Sequence, residues 1–276
     1  MRFWFPLVFA LCWCGGMASL LLGSVGEAPS VDEILERALQ RADWYREERI
    51  EHRFTASVLR TSEKLGKDGE VVESEEMLYQ ALPIDGYLFE RLVSKNGRSL
   101  SEKEVKEEVK REEEFREKIR NGEDPTRDER SVNFDQKLVN RYVFNLESPV
   151  EIRGRQAHVL SFKPKGEDLP VETRMDRALN KAEGRMWIDR ETFEIAKVHF
   201  QLKESIRIWW GLIGSISELD GTVERAEVAE GIWLPNRVQI YLNGRILFMS
   251  LHRNERIEWT DFEPSSGSKE QLVSSQ

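Results

Sequence analysis

Beyond Cys14 the chain has no cysteine; Cys12 and Cys14 are the only two in 276 residues. A disulfide framework, a cysteine-built zinc cluster and a thiol nucleophile are therefore excluded from everything downstream. Positive charge is the second shortage. Lys and Arg number 41 against 50 Asp and Glu, a formal net charge of −9. That argues against a nucleic-acid surface, which needs clustered cations to meet phosphates. Histidine is the third. His52, His158, His199 and His252 are scattered over separate segments. No His-Glu-x-x-His pair, no Gly-x-Ser-x-Gly elbow and no phosphate-binding Gly-rich loop occurs. Carboxylates are abundant, but their dense runs fall on helix surfaces. A general acid needs a carboxylate in an apolar pocket. Asp189, after Met186-Trp187-Ile188, is the one to inspect, and it starts a turn, where Asp commonly caps amides. His199, between Val198 and Phe200, reads as a paired or solvent-facing strand residue. The chain reads as non-enzymatic, with no metal and no cofactor.

What is present begins with an apolar leader. Arg2 is followed by Phe3–Cys14, apolar except for Pro6, and then by small residues at Ala18, Ser24, Gly26 and Ala28. Residues 1–28 read as an export signal, cleaved after Ala18 or Ala28. They also read as an uncleaved anchor, since Leu20-Leu21-Leu22 extends the apolar length to about 20 residues. A lipoprotein signal fits poorly, because Leu11 and Trp13 precede the cysteines where a small residue is required.

Ser30 and Glu33 form a capping box before Val31, Ile34, Leu35, Ala38, Leu39 and Ala42, which predicts an amphipathic helix over Val31–Arg46. Strands are expected over Phe54–Leu65, Glu70–Leu82 and Gly86–Ser94, with turns at Lys67-Asp68-Gly69 and Asn96-Gly97. A second capping box, Ser101/Glu104, opens a highly charged helix to Arg120. Val105, Val109, Phe115 and Ile119 give it a narrow apolar stripe, and Glu102/Lys106 and Glu107/Arg111 give it i,i+4 pairs. It reads as a solvated insertion over 101–130 or as a surface for a protein partner. Short helices are expected over Val132–Val139 and Val171–Lys181, and strands over Arg141–Ile152 and Gln156–Lys163.

The rest, Gly184–Phe262, reads as an antiparallel meander. Its first hairpin turns at Asp189-Arg190-Glu191-Thr192. Strands follow over Ile206–Leu219, Thr222–Ala229, Ile232–Tyr241, Arg245–His252 and Arg256–Phe262, with turns expected at Asp220-Gly221, Glu230-Gly231 and Asn243-Gly244. Two strands are apolar on both faces: Ile208-Trp209-Trp210-Gly211-Leu212 and Ile246-Leu247-Phe248-Met249. Such strands are either buried on both sides or expose an apolar patch. Residues 29–264 are expected to form one domain, with 265–276 as a disordered tail.

The hairpin Gly-x-Met-Trp-Ile-Asp-x-Glu-Thr-Phe-Glu-Ile from Gly184, with the closing strand Trp259-Thr-Asp-Phe262, resembles the LolA/LolB-like superfamily of periplasmic lipoprotein carriers. The resemblance implies an α+β fold, a strongly curved, incomplete antiparallel barrel wrapped around helices. It also implies a periplasmic or cell-envelope location and an apolar concave face that receives a lipid or lipoprotein acyl chain, with a role in lipoprotein sorting to the outer membrane. The charged helix departs from that pattern, and no lipid-contacting residue is matched. From alternation and composition, the candidate ligand contacts are Phe200, Ile208, Trp209, Trp210, Leu212, Phe248 and Met249. The alternative is an envelope structural or signalling module that binds a protein and holds no lipid cavity.

Overall fold

A computed structural model describes residues 28–126, 132–166, 169–173, 175–208, 214–246 and 249–265. The expected leader and tail lie outside the described residues. The first described element is α1 (Val31–Glu47), where Ser30 Oγ accepts from the Glu33 amide and Glu33 Oε2 accepts from the Ser30 amide, closing the capping box. A 3-10 turn (Ile50–Arg53) leads into β1 (Phe54–Leu65), β2 (Val71–Ile84), β3 (Tyr87–Lys95) and the two-residue β4 (Arg98–Ser99). Then come α2 (Glu102–Arg120), α3 (Gln136–Val139), β5 (Tyr142–Ile152), β6 (Arg155–Pro164), α4 (Asp176–Leu179), β7 (Ala182–Asp189) and β8 (Ile195–Leu202). The chain continues through β9 (Ile206–Ile208), β10 (Gly214–Ala229), β11 (Ile232–Ile246) and β12 (Met249–Pro264).

All strands join one antiparallel sheet in the order β4-β3-β2-β1-β12-β11-β10-β8-β7-β6-β5, with β9 on β10. The outer members β4 and β5 do not meet, so the barrel is incomplete. The first and last long strands stitch its middle, from Phe54 opposite Pro264 to Lys64 opposite Arg253. The fold is the expected one, α+β with an open, curved antiparallel sheet around a helix. The curvature shows in what α1 and its extension touch. Ile34, Leu35 and Ala38 pack with Leu160, Met186, Ile188 and Phe193 of the β6–β8 region. Tyr45, Ile50 and Phe54 pack with Ala196, Ile232, Trp233 and Leu234 further round the sheet. Ile34 and Leu160 are fully buried, and each contributes about 1.5–3 kcal/mol by leaving water.

One buried carboxylate fastens α1. Glu194, 1% exposed, accepts from Arg41 Nε of α1 at 2.7 Å and from Arg225 NH1 of β10 at 2.8 Å. Arg225 also donates to the Trp233 carbonyl, and the Tyr45 hydroxyl accepts from the Trp233 amide. Burial and the nearby Glu194 charge push the Tyr45 hydroxyl up to about 12.

Two expected turns are not turns. β10 runs unbroken through Asp220-Gly221 and β11 through Asn243-Gly244, so the meander has three long strands where five shorter ones were expected. The glycines serve close approach. A Cβ on Gly221 would sit 2.2 Å from the tip of the Phe200 ring, and one on Gly244 would sit 2.5 Å from the Ser215 carbonyl oxygen. Tight turns do form at Asn96-Gly97, Arg153-Gly154 and Gly231, where φ is positive.

Helix α2 forms as expected and is largely solvated. Val105 and Val109 of the expected stripe are 46% and 65% exposed, and no residue of α2 is buried. Its ion pairs along the helix are Lys103–Glu107, Lys110–Glu114, Glu108–Arg111, Glu112–Arg116 and Glu113–Arg120, in place of the two expected. A highly charged helix with one apolar anchor is held by polar contacts to its neighbour. Phe115 meets Phe89 edge-on at 5.0 Å, and Arg91 of β3 donates twice to Glu112.

Candidate functional site

An open cleft of about 1380 Å³ lies between the C-terminal end of α1, the 3-10 turn, strands β1–β3, and α2 with its following loop. Its volume exceeds the roughly 300–1,000 Å³ usual for a small-molecule pocket, which suits an elongated ligand. Aromatic rings come from Tyr45, Tyr79, Tyr87, Phe89 and Phe115. Guanidinium groups lie on four of them: Arg49 over Tyr87 at 4.7 Å, Arg60 over Tyr79 at 5.3 Å, Arg111 over Phe89 at 4.3 Å and Arg225 over Tyr45 at 4.7 Å. Stacked guanidinium groups keep their N–H edges free to bond.

The arginines are committed to different degrees. Arg111 donates to Glu108 and to the Glu90 carbonyl. Arg60 pairs with Glu90, while its Nε is buried with no partner among the described residues. Arg49 sits in left-handed backbone at φ 48 and, besides its place over Tyr87, makes among the described residues a long side-chain contact, 3.5 Å, to the Gly86 carbonyl. His52 Nδ1 lies 2.9 Å from that same carbonyl. At this end of the cleft Asp124 accepts from Thr126, and those bonds, helped by the charges of Arg49 and His52, outweigh burial and hold its carboxyl below the usual range.

The expected concave apolar face needs correcting here. Its most apolar part is filled by α1. The open volume is aromatic and charged, and it follows an edge: Tyr87, Leu88, Phe89, Glu90 and Leu92 all line it. Successive strand residues face opposite ways, so the cleft wraps round the margin of β3.

None of the ligand contacts expected from sequence lines this cleft among the described residues. The Phe200 ring lies on Gly221 across the β8–β10 pair. Met249 is 66% exposed at the start of β12. Ile208 ends β9, and Trp209, Trp210, Leu212 and Phe248 lie outside the described residues. The described residues that flank them are neighbours in the sheet: Ile208 is opposite Gly214, Gly214 opposite Ile246, and Ile246 opposite Met249.

Asp189 has the turn role expected of it. It accepts from the amides of Glu191 and Thr192 and from Arg155 at 2.6 and 2.9 Å. Burial opposes its ionisation, but Arg155 and Thr192 prevail and hold the carboxyl at about 2. His199 pairs with Asp220 at 2.8 Å on the surface. A second buried ion pair, Arg141–Asp176, ties β5 to α4. Among the described residues no cluster of metal-ligating side chains occurs, and no helix is long and apolar enough to cross a membrane.

No protein-family model and no curated protein matches the chain. Solved structures similar to it include a "putative outer membrane lipoprotein-sorting protein domain" from Vibrio parahaemolyticus, 11% identical over 86% of this chain and 96% of that one, TM-score 0.37. A DUF1329 family protein from Desulfovibrio piger is 13% identical over 87% and 95%, TM-score 0.33. A LolA superfamily protein from Nitrosomonas europaea is 10% identical over 86% and 94%, TM-score 0.31. The superfamily that the sequence resembles is thus among these structures. The likeness concerns the course of the chain, and no residue role follows from it.

Proposed function

We propose that this is an exported, non-enzymatic binding protein of the cell envelope that holds a lipid or lipoprotein acyl chain. The observation that carries this reading is the open cleft beside α1, where five aromatic rings and a buried, unpartnered Arg60 Nε meet. Aromatic rings remove a hydrocarbon chain from water at about 25 cal/mol per Å², and the arginines suit a polar head. Trp209, Trp210, Leu212 and Phe248, with Phe200, Ile208 and Met249, are proposed as further contacts for hydrocarbon. A role in outer-membrane lipoprotein sorting belongs to the same proposal, as does a single domain over 29–264. The test is mass spectrometry of lipids extracted from purified protein, with uptake of a fluorescent fatty acid. A lipid-free protein that takes up no fatty acid would overturn the reading. One observation favours the alternative of a protein-binding module: α2 offers Val105 and Val109 to solvent on a helix with no buried residue.

A further inference from the structure

The margin of β3 has the chemistry of a peptide site. Leu92 donates its amide away from β2, to Glu108 Oε1 of α2 at 2.9 Å. Leu92 opposite Tyr79 is therefore a pair whose backbone groups do not bond each other. By alternation the same holds for Glu90 opposite Ala81 and Leu88 opposite Pro83. The proline fits, since that position owes β3 no N–H. So Leu88, Glu90 and Leu92 all turn their backbone N–H and C=O outward. β4 pairs only with Ser94 and Lys95 and leaves these three uncovered.

Helix α2 meets two of the six outward groups, and only with side chains. Glu108 takes the Leu92 N–H, and Arg111 serves the Glu90 carbonyl. The Leu88 N–H and C=O, the Glu90 N–H and the Leu92 C=O have no partner among the described residues. They front a cleft of about 1380 Å³ that runs along them. A row of donors and acceptors at strand spacing is complementary to another polypeptide backbone, which a lipid or a sugar cannot match in register. The residues beside the row are arranged for alternating side chains: Tyr87 and Phe89 on one face of β3, Leu88 and Leu92 on the other.

The geometry points to an extended peptide segment that adds to the edge of β3 between that strand and α2. The segment pairs with Leu88, Glu90 and Leu92 and replaces the Glu108 and Arg111 side chains at the two groups they hold. Its side chains fall alternately on Phe89 with Phe115 and on Leu92 with Tyr79. This goes beyond an acyl ligand and stands or falls separately from it.

The test starts from a phage-displayed library of random 12-residue peptides selected on the mature protein. The best binder is then made as free peptides, each N-methylated at one position. Methylation at alternate residues is expected to weaken binding more than tenfold, and at the residues between by less than threefold. On the protein side, Leu88→Pro removes one outward N–H, and Leu88→Ala controls for the side chain. The proline variant is expected to bind more than tenfold more weakly than the alanine variant. Should the proline variant fail to fold, the methylation pattern decides alone. A flat pattern, equal binding by the two variants, or no peptide binding below about 100 μM would overturn the inference. So would a dimer broken by Leu88→Pro, which would assign the edge to a second copy. Fatty-acid uptake is measured on the same variants. Uptake lost without peptide loss, or the reverse, tells which of the two ligands is wrong.

Discussion

Among the described residues two helices are longer than one turn, and they make opposite bargains with the same sheet. α1 lays Ile34, Leu35 and Ala38 into the curve of β6–β8 and is pinned at Glu194 by arginines from two directions. α2 runs beside β3 with no buried residue, held by Glu108, Arg111 and Glu112 and by one ring contact. The first half of this contrast is a core, whose stability comes from lost water. The second is a margin, where polar groups meet polar groups and net gain per contact is small. The open volume lies beside the second, because a helix that buries none of its residues leaves space along the strand it borders.

The contrast can be broken, starting from its strongest side. Ile34→Ala should cost about 3 kcal/mol in urea unfolding, the usual range for emptying a buried aliphatic site; a loss under 1 kcal/mol would mean that α1 is no core element. Glu194→Gln should cost about 2 kcal/mol, since Arg225 and Arg41 lose their shared charge while staying partly solvated. Asp189 gives a pH test. Its carboxyl is held at about 2, below the ordinary value, so its contribution of about 1–2 kcal/mol is present above pH 4 and lost as pH falls through 2. Asp189→Asn should flatten that part of the acid-unfolding curve. On the α2 side, Phe115→Ala should cost about 1 kcal/mol or less and raise amide exchange in α2 while leaving α1 protected. Smallest of all, Val109→Ser should stay within about 0.5 kcal/mol of the parent. Raising salt to about 1 M should speed exchange in α2 more than in α1; equal acceleration would erase the distinction.

The elements that local rules govern were legible. Both capping boxes, the strand Phe54–Leu65 and the Asp189 turn follow from residues within four positions of each other. The errors come from contacts distant in sequence. Asp220-Gly221 and Asn243-Gly244 have turn composition, but the reason for each glycine is the Phe200 ring or the Ser215 carbonyl of a neighbouring strand. The role of Glu194 had no local signal, because its partner Arg41 is 153 residues away. The cleft was missed because Arg49, Arg60 and Arg111 belong to three different elements. One signal was available: Tyr87 and Phe89 stand two apart on one strand face and, beside a charged helix, mark an aromatic wall.

The pairing of β1 with β12 has a consequence for the order in which the molecule is made. Each long strand has one partner within a few dozen residues, β1 finding its own in β2, but the other edge of β1 waits for Arg253–Pro264. Until those residues leave the ribosome or the export channel, β1–β4 and β5–β11 are two separate pieces, each with a bare margin. Closing so distant a pair is slow, and the waiting strands are open to wrong partners. A chain ended before β12 would lose more than one strand: it would lose the seam between the region that carries the cleft and the region that carries most of the core.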